Sequence, residues 1–307
     1  MLTTERTRLS AAGIELDLDP NSFGRLRSSK DLLDNPEALR QRMADDGYLF
    51  LPGLLDREHV MEARLELLKR LNAEGLLDPA HPMEAAILKP DVKSAFRPDL
   101  ALGNAALDHV LYSGSMMSFY ETFFGEPVLH YDFTWLRAAS PGANASPHCD
   151  IVYMGRGTYD VLTAWTPLGD IPIDHGALMI LEGSHNKRRE LEEYLSRDVD
   201  TYCSNGANAA KIERGEMTWE WDGVLDHDAA ELRGRLGGRW LSSEFMMGDV
   251  LTFTMGTVHA SMDNLSKNKI RLSSDSRYQR ASEPADERWI GAQPLGHGLA
   301  GKRGRIC

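Results

Sequence analysis

The chain has 307 residues, 42% apolar and 26% charged, with 34 basic side chains against 46 acidic ones and a formal net charge of −12. That composition suits a soluble globular protein with chain enough for one large domain, and it excludes collagen, coiled-coil, mucin-like and disordered chains. An acidic chain without clustered Lys and Arg does not neutralise a polyanion, so nucleic acid is excluded as a partner.

No stretch approaches the about 18 apolar residues that span a bilayer. Residues 1–20 have no basic start followed by an apolar core and a small-residue cleavage site. The expectation is no membrane partner and a cytoplasmic protein. Three cysteines, Cys149, Cys203 and Cys307, are too few and too scattered for a disulfide framework or a zinc knuckle, which fits a reducing compartment.

In chain order, residues 36–46 suit a helix that starts at Pro36 and stops at Gly47. Tyr48–Leu51 is a strand candidate. Asp56 caps a second helix whose Met61, Leu65, Leu68 and Leu71 recur at helical spacing as a core stripe, and Gly75 ends it. Residues 105–124 form a third helix ending at Gly125.

From residue 127 the period changes. VLHYDFTWLR, VLTAWTPL, ALMILEG, DVLTFTM and KIRLSSDSRYQ are short and rich in β-branched and aromatic residues, and turn formers flank most of them. Helices followed by antiparallel strands predict an α+β chain with a sandwich or barrel at its centre.

The segment from Ser184 to Gly248 is charged and carries tryptophans, and it reads as an insertion between strands. A single domain over residues 1–307 with a lid at about 185–247 is expected, in which Tyr194, Tyr202, Trp219 and Trp221 either stack on a substrate or anchor the insertion. The tail 281–307 packs on the barrel or meets a second subunit in a homodimer.

A facial triad for a non-haem ferrous ion needs two imidazoles and one carboxylate. His148 and Asp150, one residue apart on an extended segment, would share a face. They follow a Pro-Gly-Ala-Asn-Ala-Ser-Pro loop, where open metal positions meet solvent. His130 and Asp132 have the same spacing but lie within an apolar, aromatic run that reads as a mid-sheet strand. The second imidazole must come from a neighbouring strand, and His259 lies just beyond the end of one that opens at Gly248.

Arg271 and Ser273 share a face of the next strand, so the guanidinium points inward with a hydroxyl beside it. A buried Arg needs an anion. Asp275 or another internal carboxylate serves as well as a bound dicarboxylate on this pattern alone.

The order His-x-Asp, TAWTPLGDIPIDHGALMILEGSHN, GDVLTFTMGTVHASMDNLS and an Arg twelve residues after the distal His resembles the phytanoyl-CoA dioxygenase family of iron- and 2-oxoglutarate-dependent oxygenases. The resemblance covers roughly residues 40 to 280. It implies a double-stranded β-helix, the cupin-like jelly roll, with the N-terminal helices packed outside it.

It further implies Fe(II) held by His148, Asp150 and His259, and the distal carboxylate of 2-oxoglutarate held by Arg271 with Ser261. Trp165 would line the co-substrate pocket with Thr163 sharing its face. The implied reaction consumes O2, releases succinate and CO2, and hydroxylates a small organic metabolite. Asp150 argues against halogenation, because in halogenating relatives a small residue takes that place. Glu182-Gly183-Ser184-His185 departs from the family's usual Pro-Gly-Ser-His turn, and His185 is read as structural. The rival reading is a cupin-type metal-dependent isomerase or epimerase that does not use 2-oxoglutarate.

Overall fold

The computed structural model describes residues 8–307, so Met1 to Thr7 of the segment read for a leader lie outside the described residues. Two sheets carry the molecule. The five-stranded one runs Phe23–Arg25, Trp240–Ser242, Leu178–Leu181, His259–Ser261, Ala145–His148; the six-stranded one runs Tyr48–Leu51, Val250–Thr254, Val161–Pro167, Arg271–Arg280, Val128–His130, with Trp135–Ala139 also on Arg271–Arg280. All pairings within them are antiparallel except that of Phe23–Arg25 with Trp240–Ser242.

The six-stranded sheet is buried on both faces, and its residues alternate between two apolar clusters as strand pleating requires. Leu162, Ala164, Val250, Leu272 and Tyr278 join Val60, Leu67, Leu71, Leu107 and Tyr120 of the early helices. Trp165, Leu251 and Phe253 join Met179, Ile180 and Leu241 of the other sheet. Tyr120 ties helix to sheet: its ring stacks on Tyr278 at 4.0 Å and its hydroxyl donates to Thr252 Oγ1 at 2.7 Å.

The first helix is Pro36–Asp46, capped by the Asn35 side chain and ended by Gly47 in the left-handed region. The second is Arg57–Ala73 with the Asp56 carboxylate accepting from the backbone N–H groups of Glu58 and His59. Its buried face is Val60, Ala63, Leu67, Leu68 and Leu71, whereas Met61 is exposed and Leu65 half-buried. The expected stripe is therefore half right: Leu68 and Leu71 are in the core as expected, with Val60, Ala63 and Leu67 buried beside them in place of Met61 and Leu65.

The expected third helix is two, Ala105–Tyr112 and Gly114–Phe124. Ser113 breaks it in extended backbone at φ −148° and ψ −176°, and its hydroxyl donates to the His109 carbonyl at 2.6 Å in place of a helical N–H. VLHYDFTWLR likewise splits at Tyr131–Thr134. His130 ends one strand, and Asp132 lies in the break accepting from the Gly291 N–H, so this pair is not mid-sheet.

The segment after Ser184 is shorter than expected as an insertion, because Trp240–Ser242 is a strand of the five-stranded sheet. Tyr194 anchors it: the hydroxyl accepts from the Cys149 N–H at 3.0 Å and donates to the Gly223 carbonyl at 2.7 Å. Thr201–Cys203 pairs in parallel with Arg303–Arg305 of the tail, and Cys203 is disulfide-bonded to Cys307. This overturns the expectation of unpaired cysteines and removes the ground for a reducing compartment. The two partners are 104 residues apart and only the ladder brings them together, which spacing cannot reveal. Cys149 is free and buried. Among the described residues no helix is long and apolar enough to cross a membrane.

Candidate metal centre

His148 closes the Ala145–His148 strand, and His259 opens the His259–Ser261 strand directly opposite it in antiparallel register. The two rings are 4.3 Å apart. Asp150 is not on the strand: at φ −65° and ψ −26° it starts the short helix Ile151–Met154. The turn, rather than strand alternation, swings its carboxylate beside the imidazoles. Nε2 of His148 lies 4.0 Å from Asp150 Oδ1 and Nε2 of His259 lies 3.8 Å from it. One ligand atom from each of the three falls within 4.8 Å of the others, and the residues are 8%, 2% and 4% exposed in the order His148, Asp150, His259.

Each imidazole is oriented by the chain two residues behind it. His148 Nδ1 donates to the Ser146 carbonyl at 2.7 Å, and His259 Nδ1 donates to that of Thr257 at 3.1 Å. A carbonyl only accepts, so the proton sits on Nδ1 and the Nε2 lone pair is left for a cation. Burial, with the neighbouring imidazole second, pushes His148 down to about 3; burial also lowers His259. Both rings are neutral at ordinary pH.

Burial alone would raise the Asp150 carboxyl, but the Arg277 guanidinium and then the two imidazoles hold it well below the usual range. Asp150 Oδ2 accepts from Arg277 Nη2 at 2.9 Å and from the Thr163 hydroxyl, which leaves Oδ1 toward the imidazoles. Two neutral nitrogens and one anionic oxygen suit a divalent transition-metal ion.

Arg277 escaped the sequence reading. Its guanidinium lies 4.2 Å over the Trp135 ring, and its Nε and Nη1 are buried without a partner. The available signal was the alternation Arg271, Ser273, Asp275, Arg277, which places all four on one face of the strand.

Arg271 is 4% exposed, and its Nη1 donates to Ser273 Oγ at 2.5 Å. Among the described residues its buried Nε has no partner. Burial, then Arg137, lowers it to about 10, so it remains a cation. Asp275 does not neutralise it, since that carboxylate pairs with Arg137 at 3.2 Å. The internal-carboxylate alternative is thus not what the chain adopts. Ser261 Oγ and Trp165 Nε1 are also buried and unpartnered. Thr163, expected beside Trp165 in the co-substrate pocket, spends its hydroxyl on Asp150 instead.

Rings extend outward from the triad. Tyr153 stands 5.6 Å from His148 and 6.0 Å from His297; His297 is 5.1 Å from Trp219 and 4.8 Å from Trp289; Trp289 is 4.7 Å from Trp135. Trp135 carries Arg277, which returns to Asp150. Trp289 and His297 belong to the C-terminal tail, and no residue pattern pointed to them. Tyr194 and Trp221 face each other away from this circuit, so Trp219 is the insertion tryptophan that joins it.

The other histidines stand apart: His185 reaches the Ala44 carbonyl at 3.1 Å, His227 is exposed, and His175 is half-buried beside a cavity that Arg271 borders.

Residues 43–273 match the family model for phytanoyl-CoA dioxygenase (PhyH). The 1-deoxypentalenic acid 11-beta-hydroxylase of Streptomyces arenae is 28% identical over 277 residues, covering 85% of this chain and 87% of that protein. Its counterpart from Streptomyces exfoliatus is 29% identical over 270 residues, covering 82% and 83%. The crystal structure of the non-heme alpha ketoglutarate dependent carbocyclase SnoK from nogalamycin biosynthesis shares the fold with a TM-score of 0.56 at 18% identity, covering 85% of this chain and 90% of that one. The family match takes in most strands of both sheets and ends on Ser273, the residue bonded to Arg271. The chain belongs to the phytanoyl-CoA dioxygenase (PhyH) family and is an Fe(II)- and 2-oxoglutarate-dependent dioxygenase.

Proposed function

We propose that this dioxygenase hydroxylates a small, largely apolar organic metabolite, with His148, Asp150 and His259 as the iron ligands. Arg271, supported by Ser273 and Ser261, is the seat of the distal carboxylate of 2-oxoglutarate, with Trp165 on the flank of that pocket. The observation that carries the reading is a pair of half-sites linked through one strand, since Arg277 of Arg271–Arg280 bonds Asp150. Among the described residues, three lone-pair atoms converge without a cation of the protein between them, and the buried Arg271 guanidinium has no carboxylate in a salt bridge with it. A metal-dependent isomerase with no dicarboxylate co-substrate gives Arg271 nothing to bind, and a buried unpaired guanidinium costs several kcal/mol.

Iron and 2-oxoglutarate, when bound, supply the oxidising power drawn from O2 and leave succinate and CO2. The protein's residues do the rest. The Ser146 and Thr257 carbonyls fix the two imidazole tautomers, Arg277 and Thr163 fix Asp150 by one oxygen, and Arg271 fixes the far end of the dicarboxylate. The circuit of Tyr153, Trp219, His297, Trp289 and Trp135 excludes water and receives an apolar body. The relatives' name, the hydroxylation of an organic acid, agrees with this. We take the two sheets as the faces of a double-stranded β-helix in one domain, with the segment after Ser184 and the tail as its cover.

Asp150→Ala and His259→Ala are expected to abolish succinate formation from 2-oxoglutarate; the thermal transition of the metal-free protein should stay nearly in place in His259→Ala and fall in Asp150→Ala, which strips the buried Arg277 of its carboxylate. Near-full turnover in either variant sinks the ligand assignment. Arg271→Ala should raise the requirement for 2-oxoglutarate far more than that for the substrate, and the opposite order refutes the role given to Arg271.

A further inference from the structure

We propose that a cavity beside Arg271 is an anion vestibule for the dicarboxylate co-substrate, an assignment that rests on the 2-oxoglutarate reading above. The cavity holds about 360 Å³, and its charged lining is Arg57, Arg64, Lys269 and Arg271 against Glu84 and Asp170. Arg57 and Asp170 satisfy one another through two parallel hydrogen bonds of 2.9 Å. Arg64 gives Nη1 to the Leu168 carbonyl at 2.8 Å, and Arg271 gives Nη1 to Ser273. Among the described residues neither has a carboxylate partner, and neither does the exposed Lys269.

Arg64, Lys269 and Arg271, none of them in a salt bridge among the described residues, join the paired Arg57 to outnumber Glu84 and Asp170 in this lining, although Asp170 also acts on Arg64, in a chain whose formal net charge is −12. A concavity whose lining carries more cations than carboxylates concentrates anions. Burial acts against the charged form of both Arg64 and Arg271, so an anion shared between them relieves a cost that both carry. The vestibule's ligand is a small dicarboxylate whose far carboxylate comes to rest on Arg271.

The test is calorimetric titration of 2-oxoglutarate into the full-length protein loaded with Zn(II), a redox-inert stand-in, at low salt and at high salt. Lys269→Glu, an exposed reversal outside the proposed binding contacts, is expected to raise the Kd for 2-oxoglutarate about fivefold at low salt, and Arg64→Gln about threefold. Both effects should shrink below about twofold at ~0.5 M NaCl, where screening acts over a few ångströms.

Pyruvate keeps the keto acid but lacks the distal carboxylate and carries half the charge, so its Kd should rise much less than that of 2-oxoglutarate in both variants. Wild-type affinity for 2-oxoglutarate in both variants at low salt overturns the vestibule, as does equal weakening of pyruvate. Failure of the wild-type protein itself to bind 2-oxoglutarate overturns the co-substrate reading instead.

Discussion

Arg277 holds the carboxylate on which both imidazoles converge. One N–H on Asp150 Oδ2 and a face on Trp135 are its only partners among the described residues, so it acts through Asp150 as a positioning residue. Replacing Arg277 by Met should weaken metal binding by about 10- to 100-fold, the usual cost of losing a group that orients a ligand, and Lys should restore part of it. Competition against a chelator measures this, and unchanged affinity would reduce Arg277 to packing on Trp135.

Gly47 is a second residue with a defined cost. At φ +76° it closes the first helix, and a Cβ there would run into the His185 ring. Gly47→Ala should cost about 1–3 kcal/mol in a urea titration; a loss within error would show that the turn relaxes freely. At this scale the sequence disclosed the triad, because a His-x-Asp pair and a distal His are short-range marks. It hid Arg277, Trp289 and His297, whose roles depend on Asp150, Trp135 and Asp200, all distant along the chain.

The C-terminal tail is an element whose place no local pattern announced. Its Arg288, His297 and Lys302 converge on the buried Asp200 at 2.7, 2.8 and 2.9 Å, and Cys307 is joined to Cys203. Removing a link that closes a loop of about 100 residues costs up to about 4–5 kcal/mol on chain-entropy grounds. Cys307→Ser should therefore release the tail first, seen as new proteolytic cleavage beyond residue 280. Unaltered cleavage would mean that the ion pairs alone hold it.

Acid should do the same. Burial would raise Asp200 and Asp286, but His297 and Lys302 on the first, and Arg288 on the second, hold both below the usual carboxylate range. Their folded values lie below their unfolded ones, so the stability they confer is full above about pH 4–5 and falls away as pH drops further. Hydrogen exchange of tail amides should be slow near neutrality and accelerate below about pH 4, and protection that rises on acidification contradicts the network.

For the whole molecule, the change from helical to strand period predicted helices before sheet; most strands do follow Phe124, but Phe23–Arg25 and Tyr48–Leu51 join the sheets from among the early elements. What went unread was breakage within a period: Ser113 divides one helix and residues 131–134 divide one strand, since apolar spacing continues across both. Net charge also averages away what matters locally, for a chain at −12 carries a cation-lined cavity next to Arg271.

One crystal structure, grown without oxygen in the presence of Fe(II) and 2-oxoglutarate, tests the central claim most directly. It should show a single iron at about 2.0–2.3 Å from Nε2 of His148, Nε2 of His259 and Oδ1 of Asp150, with the distal carboxylate on Arg271. Iron bound by other side chains, or a dicarboxylate lying away from Arg271, would contradict it.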